Sequence, residues 1–177
     1  SLTIHIENVE TLTSICFAIK CLLSQIEIKS VFLNVTTLPY LLISILVKHS
    51  LVRSELSSIT STCLRELTNS ESHICHSIIL KLIQQDGCKI IIAMLKQFLH
   101  IKEVYLSSMY LLNSILKEIE GRLQLSSTGL CKLLLDGLIM HRNDQQICFT
   151  TLSLLSDILV YENVLDLALF QSIETKL

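Results

Sequence analysis

The chain has no tryptophan, one proline (Pro39) and four glycines among 177 residues. So little turn material argues against a many-stranded sandwich or barrel, whose hairpins need Gly, Pro and Asn at short intervals. Charge is also scarce, at 17% of residues, and 14 basic against 16 acidic side chains leave a formal net charge of −2. A nucleic-acid surface normally carries a basic excess, and this chain lacks one. No G-x-S-x-G elbow, P-loop, dinucleotide glycine pattern or H-E-x-x-H pair occurs, which removes the common sequence signatures of an enzyme. The first residues do not read as a signal-peptide pattern, because Glu7 and Glu10 interrupt the apolar positions. The uncharged stretch 31–47 contains Asn34, Thr36, Thr37 and Pro39 and is a poor membrane span.

What the chain does have is apolar mass. Half of its residues are hydrophobic and the mean hydropathy is +0.57. Most helices are therefore expected to be covered on more than one side. Seven cysteines form an odd set without a C-x-x-C pair, six of them within or beside apolar runs. Buried free thiols behave as small hydrophobes, so an intracellular protein (cytoplasmic or nuclear) is expected rather than a disulfide framework. The Asn34-Val35-Thr36 sequon points the other way, but so short a pattern carries little weight. The chain starts at Ser1 and stops within an apolar segment, as expected of one domain cut from a longer protein.

A repeat runs through the sequence. Segments 39–46, 88–95 and 131–138 superpose with offsets of 49 and then 43, and the same offsets carry 60–67 onto 109–116 and 152–159. Within the second set Leu67, Leu116 and Leu159 coincide, as do Cys63, Leu112 and Leu155. Apolar positions three and four apart, such as Ile91, Met94, Leu95 and Phe98, mark helices. Breaks are expected at Asp86-Gly87, at Thr128-Gly129 and between Asn69 and Ser72, with Gly87 and Gly129 at equivalent positive-φ corners. Pro39 fills the corresponding corner in the first unit. Each unit then reads as two longer helices preceded by a shorter one. In the unit that carries the larger offset, the first helix lengthens to 77–85. The whole chain, 1–177, divides into a partial repeat at 1–24, repeats at about 30–70, 73–120 and 123–161, and a partial repeat at 163–177.

The run from Val31 to Leu42, with its small-residue corner before paired leucines, resembles the junction between the first and second helices of an armadillo repeat. Segments 80–95 and 123–138 are similar, and periods of roughly 40–47 residues belong to armadillo and HEAT arrays alike. The resemblance implies an all-α, right-handed superhelical solenoid whose third helices line a concave groove. Family members that carry basic import signals present Trp and Asn four residues apart on those helices. Here the Trp-like positions hold Ser61, Tyr110 and Ser153, and the Asn-like positions hold Arg65, Ser114 and Asp157. That substitution argues against an import receptor. Further rows of the same groove are Ser58, Ser107 and Thr150, and Asn69, Glu118 and Tyr161, with Phe17 and Cys21 from the partial first unit. The expected site is therefore Ser61, Arg65, Tyr110, Ser114, Glu118, Ser153, Asp157 and Tyr161, with the two tyrosines as aromatic anchors. The implied role is a non-catalytic scaffold that binds a partner protein or peptide, or packs on the rest of a parent chain. A helical-repeat nucleic-acid binder, or the regulatory domain of a larger enzyme, is the competing reading.

His73-Ile74-Cys75-His76 is the only dense cluster of metal-capable groups, and no second cluster completes a four-ligand zinc set. Glu118 and Glu120 point to different sides of a helix and make no carboxylate pair. Lys81, Lys89, Lys96 and Lys102 are spread over more than one helix among Asp86 and Glu103, as solvated faces are. Neither a metal nor a cofactor is expected.

Overall fold

Asn8 opens the first helix by accepting, through Oδ1, the backbone N–H groups of Glu10 and Thr11 at 3.0 and 3.2 Å. Two of the donors that a helix start leaves bare are thereby satisfied. The computed structural model describes residues 8–25, 31, 37–69, 73–126 and 128–174, and from 161 onward the backbone alone. Nine helices and no strand occur among these residues. They are α1 (Val9–Leu23), α2 (Thr37–His49), α3 (Ser54–Thr68), α4 (His73–Gln84) and α5 (Gly87–Gln97), followed by α6 (Lys102–Leu116), α7 (Ile119–Ser126), α8 (Leu130–Met140) and α9 (Gln145–Glu174). No helix among the described residues is long and apolar enough to cross a membrane. Residues 1–7, 26–30, 32–36, 70–72, 127 and 175–177, including most of the expected first helix of the first unit and the sequon, lie outside them.

Of the two glycine corners expected, the one at Gly129 is found and the other is set one residue earlier, at Asp86. Asp86 (φ 61°) and Gly129 (φ 72°) take the left-handed conformation, and the offset of 43 carries one onto the other. Gly87 is instead the first residue of α5. Asp tolerates this region better than most L residues, so the corner survives without glycine. A second difference lies at the C-terminal end, where Gln145–Glu174 is one helix. The partial repeat read at 163–177 implies a helix boundary near its start, and none occurs there. No Gly or Pro stands between 162 and 174 to interrupt the backbone.

The main helix contacts fall into two rows. α3 lies against α1 on one side and α6 on the other, and α6 lies in turn against α9. A second row runs α2, α5, α8, each of its helices packed against the following member of the first row. The shorter α4 and α7 contact α3 and α6 respectively, and also α2 and α5. Several longer-range polar contacts share one spacing. Thr60 to Cys16, Cys63 to Cys16, Arg53 to Glu10, Gln97 to Leu51, His76 to Glu118, Tyr105 to Thr151 and His141 to Leu99 span 42 to 47 residues, about one repeat offset each.

The core is aliphatic and continuous, with Leu12, Leu42, Leu56, Leu64, Leu82, Leu95 and Leu112 fully buried. Each such side chain contributes roughly 1.5–3 kcal/mol. The largest fully buried side chain, Tyr105, lies where α6 meets α8 and α9. Its hydroxyl donates to the Leu134 carbonyl at 3.0 Å and lies 3.3 Å from Thr151 Oγ1, which satisfies the buried oxygen. Gly137 makes room for it, since a Cβ there would stand 2.2 to 2.6 Å from three atoms at the hydroxyl end of Tyr105. The last helices lose this cover. Leu135, Leu152 and Leu159 are 48%, 55% and 55% exposed, whereas their counterparts one offset earlier, Ile92, Met109 and Leu116, are at most 5% exposed.

Candidate functional site

The C-terminal halves of α3 and α6 enclose a cleft of about 410 Å³ lined by Arg65, Thr68, Asn69, Tyr110, Asn113, Ser114 and Lys117. Helical spacing explains the set. Residues 65, 68 and 69 share one face of α3 and its C-cap, and 110, 113, 114 and 117 share one face of α6 and its C-cap. The Arg65 guanidinium lies 4.7 Å from the centroid of the Tyr110 ring and bonds the Glu66 carboxylate through Nη2. A stack and an ion pair therefore fix this long side chain in place. On its other side the Tyr110 hydroxyl accepts from Gln146 Nε2 at 3.2 Å, which ties α6 to α9. Thr68 and Ser114 donate back to their own helices, to the carbonyls of Leu64 and Tyr110. Among the described residues, the amides of Asn69 and Asn113 and the ammonium of Lys117 have no hydrogen-bond or ion-pair partner. The lining thus carries two cations, five neutral polar groups and no carboxylate.

The sequence-predicted residues divide around this cleft. Arg65, Tyr110 and Ser114 meet within it. Ser153 is exposed on α9 and Asp157 half-buried on the same helix, both outside the lining. Glu118 follows α6 and pairs with His76 Nδ1 at 2.7 Å, joining α4 to the α6–α7 junction instead of facing the cleft. Ser61 is a correction. It is fully buried and offers no surface, because α1 and α6 flank α3 and cover a side chain this small. The side chain of Tyr161 lies outside the described residues. Thr68, Asn113 and Lys117 were not singled out from sequence. Their signal was the i+3 and i+7 spacing from Arg65 and Tyr110, which complements the i+4 spacing of the family pattern.

A second, shallower concavity beside the α8–α9 turn is lined by Lys102, Asn143, Asp144, Gln145, Gln146, Cys148 and Phe149. Its charges satisfy one another. Lys102 Nζ contacts Asp144 Oδ2 at 2.5 Å, while Asp144 Oδ1 caps α9 by accepting the Ile147 N–H at 3.0 Å. The hydrogen bond from Lys102 holds the Asp144 carboxyl below its ordinary value.

Three of the seven thiols are shifted by burial. Burial pushes Cys63 up to about 12 and Cys88 up to about 11, and it raises Cys16 as well. Thiols that stay protonated are poor nucleophiles. Among the described residues no three His, Cys, Asp or Glu side chains gather as metal ligands, and His76 is engaged with Glu118. No protein-family model and no curated protein sequence matches the chain.

Proposed function

We propose that the chain is an armadillo-like helical array acting as a non-catalytic protein-binding scaffold, with the α3–α6 cleft as its working surface. For the architecture, the carrying observation is that seven polar contacts between helices or their caps fall 42 to 47 residues apart. A solenoid in which each unit touches only its neighbours produces that spacing. Exposed Leu135, Leu152 and Leu159 suit the same reading, as surface that the next unit of an array would cover.

For the function, the carrying observation is the immobilised Arg65–Tyr110 pair in a cleft with unsatisfied polar groups around it. Tyr and Arg are the side chains that most often anchor interfaces, since both offer rigid area and directed hydrogen bonds. Nucleic-acid binding has less support, because a strand of phosphates needs a continuous basic stripe and the α9 end of this row carries Asp157. Seven cysteines without a disulfide fit a reducing compartment.

The test is photo-crosslinking in cell extract from a benzophenone amino acid placed at position 114 in the cleft or at position 89 on α5. A specific protein adduct is expected from position 114 alone, and Tyr110→Ala/Arg65→Glu should abolish it with the fold intact. Adducts that form from position 89 instead, or that survive the double variant, would contradict the assignment.

A further inference from the structure

Resting on that reading of the cleft, we infer that its occupant is an acidic segment of a partner protein, with side-chain carboxylates seated on Arg65 and Lys117. Charge complementarity carries the inference. Two cations line the cleft and no carboxylate does, although the chain as a whole is slightly acidic. The nearest acids are already engaged, Glu66 with Arg65 and Glu118 with His76. Arg65 spends one nitrogen of its fork on Glu66, and its face rests on Tyr110. The remaining N–H groups form a rigid planar edge of the kind that receives a carboxylate through two parallel bonds. Little side-chain entropy is left to lose on binding, because the stack and the ion pair have already restricted the arginine.

Lys117 supplies the second charge. It stands one turn past Asn113 and Ser114 and has no ion-pair partner among the described residues. The amides of Asn69 and Asn113 lie between the two cations in sequence register and can donate to peptide carbonyls or to the same carboxylates. The positive surface is local. Asp157 on α9 opposes its extension along the row, so the geometry selects a short acidic stretch over a polyanion.

Selection from an unbiased random-peptide phage library tests this on the intact chain, followed by affinity measurement with synthetic peptides. Enriched peptides are expected to carry a shared pair of Asp or Glu residues. Changing those residues to Asn or Gln should weaken binding about tenfold or more, the scale of a charge-assisted hydrogen bond. Arg65→Gln and Lys117→Gln should each produce a similar loss, and that loss should shrink against the amide peptide, where no carboxylate remains to pair. Circular dichroism melts should stay cooperative, unchanged for Lys117→Gln at its exposed position and lowered only slightly for Arg65→Gln, which gives up the Tyr110 stack and the Glu66 pair.

Enriched peptides that are neutral or basic yet protect the cleft in a footprint would overturn the acidic partner and leave the protein-binding reading standing. Enrichment onto another face, or homopolymeric RNA occupying the cleft where no peptide does, would overturn both.

Discussion

Replacing Gly137 by alanine would set a methyl group 2.2 Å from Tyr105 Cε2, 2.4 Å from its Cζ and 2.6 Å from its hydroxyl oxygen. The ring cannot step aside freely, because Tyr105 is fully buried and its hydroxyl is tied to the Leu134 carbonyl. Overpacking of this kind costs about 1–3 kcal/mol. Dislodging the buried hydroxyl from its acceptor costs about another 1–3 kcal/mol. Against this stands the better helix propensity of alanine, about 1 kcal/mol at a position inside α8. The balance is a loss centred near 3 kcal/mol. For a chain of this length that corresponds to roughly 6–12 °C in Tm. Calorimetric melts of the wild type, Gly137→Ala and Gly137→Ala/Tyr105→Leu would check it, with partial recovery expected in the double variant because leucine vacates the contested volume. A Tm that rises in Gly137→Ala would mean helix propensity dominates, and the packing of Tyr105 into the α8 notch would be refuted.

Other perturbations separate framework from surface. Leu112→Ala, at a fully buried position of α6, should cost about 2–5 kcal/mol in urea unfolding. Tyr110→Ala should cost only about 1–2 kcal/mol because its ring is half-buried, while weakening partner binding more; equal folding losses would erase the distinction. Thiol labelling followed by mass spectrometry should modify exposed Cys21 first and spare Cys16, Cys63, Cys75 and Cys88 until the chain unfolds. Asp144→Asn keeps an acceptor for the α9 cap but removes the charge facing Lys102. Because the folded Asp144 carboxyl lies below its ordinary value of 3.8, its contribution is present above that pH and fades as pH falls through the folded value. The Tm gap between Asp144→Asn and wild type should therefore be open at neutral pH and close under acid; an unchanged gap would show that the pair is not coupled to folding.

The helices were legible because their signal is periodic and apolar. Ile91, Met94 and Leu95 recur at helical spacing, and all three are buried. Corners were legible only to within a residue, since glycine advertises the left-handed region while Asp86 adopts it without advertisement. Sequence polarity failed as a guide to exposure at Ser61. Ser57, Thr60, Ser61 and Ser108 are all fully buried where helices approach over small side chains, with Ser57 turned back onto the Arg53 carbonyl and Thr60 facing the Cys16 sulfur. Ser61 and Ser108 find no partner, so neither hydrogen bonding nor exposure distinguishes them in the sequence.

Tyr105 and Tyr110 show the same limit from the other side. Five residues apart on one helix, they differ in what lies opposite, the Gly137 notch for one and Arg65 for the other. That difference belongs to the neighbouring helices, and local sequence does not contain it. Arg65, Tyr110 and Ser114 were accessible to register matching alone, whereas Lys117 and Asn113 needed the packed pair α3–α6 to reveal them.

Hydrogen–deuterium exchange on the intact chain, with and without the partner recovered through position 114, tests the binding surface most directly. Slowed exchange over 65–69 and 110–117, with α4 and α7 unchanged, is the predicted result. Protection confined to α4, α7 or the exposed face of α8, with the cleft exchanging as in the free chain, would contradict it.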